Sequence, residues 1–314
     1  MTVRPTGAFF RTPVSSSKII AFVETLVGPI KLTGAADLEL TGTCDSRAGG
    51  HRQLVFANSE HYGEGKELIG SFVLTEELPS ESIQGSNQFC VVSDPRAVFM
   101  DVLAWLIDSV GIDAHWRGFT CEAKISNAAE VASSAVIEPG VEVDTGSVIC
   151  AGAVIKRGSR IGRNTIIREN VVIGSDGVTV YRAADGRLLK FPHAGGVSIG
   201  DNTEIGANAV IAGGILAPTF IGHDVVIGNL CNVGHGAVVE DGVWMSVGSL
   251  LGGHTTVHAG VTIAMGVSVR DNLVIGAKAS LGMGSVVVKN VESNHSMFGN
   301  PAKRMVGLKT GPKR

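Results

Sequence analysis

The sequence predicts a mainly β chain built as a stacked solenoid, with a small α+β domain ahead of it. Three observations carry this reading. Aliphatic residues recur every six positions from Ile125 to Val287, with two interruptions. An α-helix places apolar residues three or four apart and a lone strand alternates them, so neither gives that period, whereas a solenoid does. Glycine is abundant at 42 residues while aromatics make up only 5%, a balance that suits tight turns and a narrow interior. Residues 1–120 lack the period.

In residues 1–120, "SSSKIIAFVETLVG" predicts an amphipathic helix with serine at its start and Gly28 at its end. "QLVFA" and "SFVLT" read as strands, and "PRAVFMDVLAWLID" as a second helix with Val98, Val102, Trp105 and Leu106 on one face. Together they form a small α+β domain.

The solenoid spans 121–292. Its first nine anchors step from Ile125 to Ile173. The period breaks across an insertion loop at 174–198, resumes at Ile199, slips at "LAPT" and runs on from Ile221 to Val287. Four residues after each anchor comes a second inward residue, usually small, such as Ala129, Ser147, Thr165, Cys231 and Ala237. Each hexad is a short strand plus a turn. One coil cannot bury its own face, so coils stack through backbone hydrogen bonds at roughly 4.8 Å. A basic tail, 293–314, carries Lys303, Arg304, Lys309, Lys313 and Arg314.

A net charge of -3 gives no general attraction to nucleic acid. Five cysteines without a C-x-x-C pair indicate neither a zinc site nor a disulfide framework. The amino terminus has no signal-peptide apolar stretch, and nowhere do eighteen apolar residues run together. The expectation is a cytoplasmic protein with no membrane span.

With three hexads to a coil, residues 18 apart are vertical neighbours. His235, third in its hexad, then lies beside Gly253, third in its own. Such a pair suits acyl transfer: the imidazole takes a proton from an attacking amine, and the glycine N–H, unshielded by a Cβ, stabilises the oxyanion. The bland alternative is that outward positions of a prism tolerate any polar residue. His223, His254 and His258 have no evident task.

The six-residue pattern over about 125–291 resembles the hexapeptide-repeat left-handed parallel β-helix family, which implies a homotrimer with active sites in clefts between neighbouring prisms. Trimeric β-helices of the gamma-class carbonic anhydrase type hold a metal among histidines five apart. Here His254 and His258 are four apart on different parts of the coil, so no metal site is expected.

The stretch "VIGSDGVTVYRAADGRLLKFPHAGGVSIGDNTEIGANAVI" and the later "VIGNLCNVGH" resemble the UDP-3-O-acyl-glucosamine N-acyltransferases of lipid A biosynthesis. The resemblance implies that His235 falls on the catalytic histidine and Gly253 on the oxyanion-binding glycine. In "LVFANSEHY", Phe56 and Tyr62 fall on the two aromatics that sandwich the uracil ring, with Asn58 one residue earlier than that family's asparagine. Departures are "AGG" at 212–214 for "D-R-G", Gly228 for an acidic residue, and the absence of the long helical extension associated with carrier-protein docking.

The last third, ending in "GNPAKRM", resembles acetyl-CoA-dependent nucleotide-sugar N-acetyltransferases, whose prisms close with "G-x-P-A-K". This implies donor binding by Gly299, Asn300, Pro301, Ala302, Lys303 and Arg304. The acidic residue that often follows the histidine there is Gly236 here.

The expected activity is N-acyl transfer from a thioester, acyl-CoA and acetyl-CoA first, to the amine of a nucleotide-linked amino sugar for cell-surface polysaccharide or lipid A. No cofactor is permanently bound; the acyl-CoA or acyl carrier protein is a co-substrate. Two alternatives stay open: a carrier-protein-dependent UDP-3-O-acyl-glucosamine N-acyltransferase, and a non-catalytic β-helical scaffold, which the missing carboxylates at Gly228 and Gly236 would fit.

Overall fold

The structure, a computed structural model, describes residues 7–45, 48–57, 67–78, 85–113 and 122–305. It is mainly β: a left-handed parallel β-helix with a small N-terminal α+β unit. Two compact units divide the chain, one of Met1–Arg117 with Val178–Ala194, the other of Gly118–Gly177 with Gly195–Arg314. The middle of the expected insertion loop thus groups with the amino-terminal unit, and the sequence-based division at 120 gave no sign of that.

In the amino-terminal unit, strand β1 (Gly7–Ser15) runs into helix α1 (Ser16–Val27), followed by β2 (Lys31–Gly34), β3 (Glu39–Cys44), β4 (Gly50–His51), β5 (Gln53–Ala57), β6 (Leu68–Ile69), β7 (Phe72–Thr75) and β8 (Gln88–Val91). Helix α2 (Pro95–Ser109) and β9 (Ile112–Asp113) follow. The main sheet has the order β2-β8-β7-β5-β3-β1-β9, with parallel pairing from β3 through β5 and β7 to β8. Ser15 caps α1 by accepting the Ser17 N–H at 3.1 Å, and Gly28 closes it at φ 79. The helices meet through Phe22 stacked on Trp105, ring centroids 4.6 Å apart. Burial pushes the Cys44 and Cys90 thiols up to about 12, so both are inert packing groups at neutral pH.

Asp94 caps α2 through the Ala97 N–H (3.0 Å) and also accepts from the Tyr181 hydroxyl (3.1 Å) and the Ala184 N–H (2.9 Å). Both latter groups belong to the insertion, which is a hairpin of antiparallel strands Val180–Arg182 and Leu188–Lys190 rather than a loop. Arg187 reaches Asp101 at 3.3 Å, and Phe191 packs on Phe99. One carboxylate thus fixes the start of a helix and the tip of a segment some ninety residues later in the chain.

In the solenoid, each coil adds one strand to each of three parallel sheets, of eight, ten and eight strands. Register is 18 residues per coil, as in Val239↔Val257 and Val257↔Ile275, and widens where the insertion and the slip enter. The anchors from Val143 to Val287 are buried, whereas Ile125 and Val131, in the first described coil, are exposed. The second inward position takes small residues as expected, but also Val141, Val171, Val225, Val261 and Leu273. Most polar residues there bond to the backbone of the next coil, as Ser147 Oγ to Gly162 O (2.6 Å) and Ser249 Oγ to Ala264 O (2.8 Å), whereas the buried Ser159 Oγ makes no such bond among the described residues.

Segment 293–305, expected as a tail, continues the second sheet. Ser296–Phe298 pairs with Ser280–Leu281, and Lys303–Met305 folds back on it antiparallel. No helix among the described residues is long and apolar enough to cross a membrane.

Candidate active site

Two residues past each anchor the chain turns a corner, and the N–H there falls outside the strand ladder. On the first-sheet corner such groups are capped from the next coil: Arg163 N–H by Asp201 Oδ1 (2.8 Å), Asp201 N–H by His223 Nδ1 (2.9 Å), and His223 N–H by Asp241 Oδ1 (2.8 Å). His223 thereby has a structural task, and His258 is paired with Glu240 at 3.1 Å.

On the third-sheet corner Arg157 N–H is capped by Glu138 Oε2 (2.8 Å), but the coils around His235 differ. Val233 pairs with Leu251 and Leu251 with Val269, so His235, Gly253 and Asp271 lie one above another. The Asp271 carboxylate accepts from Asn272 Nδ2 at 2.7 Å. Gly253 N–H makes no hydrogen bond among the described residues. The expected pair is therefore brought together, with the glycine amide uncapped.

His235 lies directly on Gly253: a Cβ at 253 would sit 2.6 Å from both Cε1 and Nε2 of the ring. His235 Nδ1 is buried. On the adjacent turn column the arrangement is reversed. His254 has φ 56, and its ring lies over Gly236, φ 64, where a Cβ would come within 2.7 Å of His254 Nδ1. The two imidazoles meet edge-on, centroids 4.8 Å apart at 80°. The sequence reading gives His254 no role. The signal for it was the inverted order of "HG" at 235–236 and "GH" at 253–254, one coil apart.

Along the outer face of the third sheet runs a depression of about 550 Å³, lined by Asn232, Leu250, Ser268, Arg270 and Val286 among others. It begins three residues from His235 and ends at the last coil. There the Gly299–Arg304 segment closes the stack: Val286 N–H donates to Gly299 O (3.0 Å) and Ala302 N–H to Val286 O (2.7 Å), across a cis Asn300–Pro301 bond. Ala302 packs against the core, and Lys303 and Arg304 are exposed.

Of the expected base clamp, Phe56 is half-buried with its ring 4.9 Å from that of Phe99. Asn58 and Tyr62 lie outside the described residues.

No protein-family model matches the chain. It is 40% identical over 83 residues to a UDP-3-O-acylglucosamine N-acyltransferase of Shewanella denitrificans, covering 26% of this chain and 24% of that protein. It is 32% identical over 130 residues to a probable mitochondrial UDP-3-O-acylglucosamine N-acyltransferase 2 of Arabidopsis thaliana, covering 41% of this chain and 43% of that one. The chain thus spans less than half the length of these curated relatives. A UDP-N-acetylglucosamine acyltransferase of Bacteroides fragilis has a solved structure similar over 57% of this chain and 73% of its own, at 19% identity and TM-score 0.42.

Proposed function

We propose that the protein is an N-acyltransferase acting on the amine of a UDP-linked 3-O-acyl amino sugar, in lipid A or related cell-surface synthesis. The observation that carries this is the His235 ring seated on the uncapped Gly253 amide. The amine nitrogen attacks the thioester carbonyl while His235 Nε2 takes the amine proton. The oxyanion of the tetrahedral adduct accepts from Gly253 N–H. Collapse breaks the C–S bond, and the imidazolium returns the proton to the departing sulfur, leaving amide and thiol.

The acceptor follows the curated relatives, whose names favour the UDP-3-O-acylglucosamine reading over the acetyl-CoA reading preferred from sequence. On the donor side, the depression runs from Asn232 to Val286, whose backbone bonds to Gly299 and Ala302; this supports assigning it to an extended thioester arm, with the exposed Lys303 and Arg304 as the proposed partners of its phosphates. Phe56, with Asn58 and Tyr62, remains the proposed uridine clamp. The deciding assay offers a UDP-3-O-acyl amino sugar with either an acyl carrier protein thioester or an acyl-CoA. Transfer from the carrier-bound acyl group is expected to be faster. Transfer from neither donor to any UDP- or dTDP-amino sugar would overturn the enzyme reading and leave the scaffold.

The proposed homotrimer is supported by an exposed apolar ridge on the corner between the second and third sheets. Val247, Met265 and Met283 stack there in register, flanked by Leu230, Trp244 and Leu250. A ridge of this kind marks a contact surface. The native chain is expected to sediment as a trimer and Met265→Glu as a monomer with unchanged circular dichroism. A Met265→Glu trimer would refute this interface.

A further inference from the structure

Gly228 and Gly236 stand where the resembling families carry an acidic residue, which raises the question of what orients the His235 ring. We infer that His254 is the positioning residue for His235, and that the pairs His235–Gly236 and Gly253–His254 form one interlocked unit. The inference rests on the proposal that His235 is the general base.

Three observations converge on it. The interlock is reciprocal: His235 fills the space over Gly253, and His254 fills the space over Gly236. Neither glycine could gain a Cβ without meeting the opposite ring, at 2.6 Å for Gly253 and 2.7 Å for Gly236. The rings then touch edge to face, 4.8 Å between centroids. The backbone reinforces the contact, because His254 N–H donates to His235 O at 2.9 Å. Finally, His254 holds a left-handed backbone, φ 56, at a position where the next coil has Asn272 at φ 58. That conformation recurs at the same turn position along the solenoid, as at Asn164, Asn202 and Lys278, so the repeat itself fixes the direction in which the His254 ring leaves the backbone.

The physical role is steric and electrostatic. An imidazole rotates about its Cα–Cβ and Cβ–Cγ bonds unless its neighbours confine the space it sweeps. The His254 ring closes one side of that space and presents its edge or face to His235, a contact geometry that aromatic rings prefer. His254 therefore takes over the orienting task that a carboxylate at 236 would otherwise perform, without itself accepting the reaction's proton.

The test uses two variants in the full-length protein. His254→Asn keeps a residue that suits the left-handed turn but removes the ring; His254→Phe keeps a ring without nitrogens. For His254→Asn, kcat is expected to fall by about 10- to 100-fold with KM for the nucleotide sugar unchanged, in keeping with misplacement of a catalytic group. His254→Phe should recover much of that loss. Independently of activity, the rate at which diethyl pyrocarbonate modifies His235, followed by peptide mass spectrometry, should rise in His254→Asn and return towards the wild-type rate in His254→Phe. Wild-type kcat and an unchanged His235 modification rate in His254→Asn would overturn the inference while leaving the acyltransferase reading intact. If the wild type transfers no acyl group at all, the function reading fails, and the modification rates alone decide the positioning role.

Discussion

His235→Ala is expected to fold and assemble like the wild type and to transfer acyl groups about 10²- to 10⁴-fold more slowly, the usual contribution of a positioned general base. That range corresponds to about 3–5 kcal/mol of barrier. Binding of the nucleotide sugar, measured calorimetrically, should change little, because a base acts on the transition state rather than on the ground-state complex. The fold should tolerate the change: His235 lies at a corner, outside the column of buried anchors that holds the coils together. Added imidazole, small enough to enter the vacated space, should restore part of the rate. A His235→Ala enzyme working at the wild-type rate would remove the base from the mechanism and, with it, the reason for reading the corner as an active site.

Gly253→Ala is the second large effect, and it separates two roles that one residue combines. The added methyl would be 2.6 Å from His235 Cε1 and Nε2, closer than carbon and nitrogen can approach, so the imidazole must swing away. A methyl on the Gly253 Cα also crowds the adjoining N–H that is to bind the oxyanion. Loss of an oxyanion donor lowers kcat by about 10²- to 10³-fold, and displacement of a base by an ångström lowers it by about 10²-fold. The two losses overlap, since they act on one unit, and should not multiply. Melting temperature is the control: no anchor is disturbed, so a large thermal loss would assign Gly253 a structural duty instead. Retention of wild-type kcat would contradict both roles together.

How much of this was legible from the sequence follows from the kind of regularity involved. The β-helix was readable because a six-residue period has one physical source, and the observed register of 18 residues per coil repeats it directly. The pairing of His235 with Gly253 follows from the same arithmetic. The two described helices of the amino-terminal unit and strands β5 and β7 were visible from end signals and apolar runs. The parallel pairing of β5 with β7 was not, because nothing local in "QLVFA" specifies a neighbour eighteen residues away. The insertion could not be assigned to its unit from sequence either. Its docking depends on Asp94, a residue whose capping role is local but whose bonds to Tyr181 and Ala184 are long-range. His254 was missed because rings that touch across a coil boundary lie in adjacent columns of the repeat, and periodicity compares residues only within a column.

The insertion hairpin also bears on biosynthesis. Residues 178–194 belong to the same compact unit as residues 1–117, yet the coils from Lys124 to Ile173 are translated between them. During synthesis the amino-terminal unit therefore emerges incomplete, with the second set of partners for Asp94 still on the ribosome. Three coils of the solenoid are available to stack before that unit receives its last piece. Domains commonly fold in order from the amino terminus as they are made. This chain is wired so that its first unit to appear is not its first to be finished.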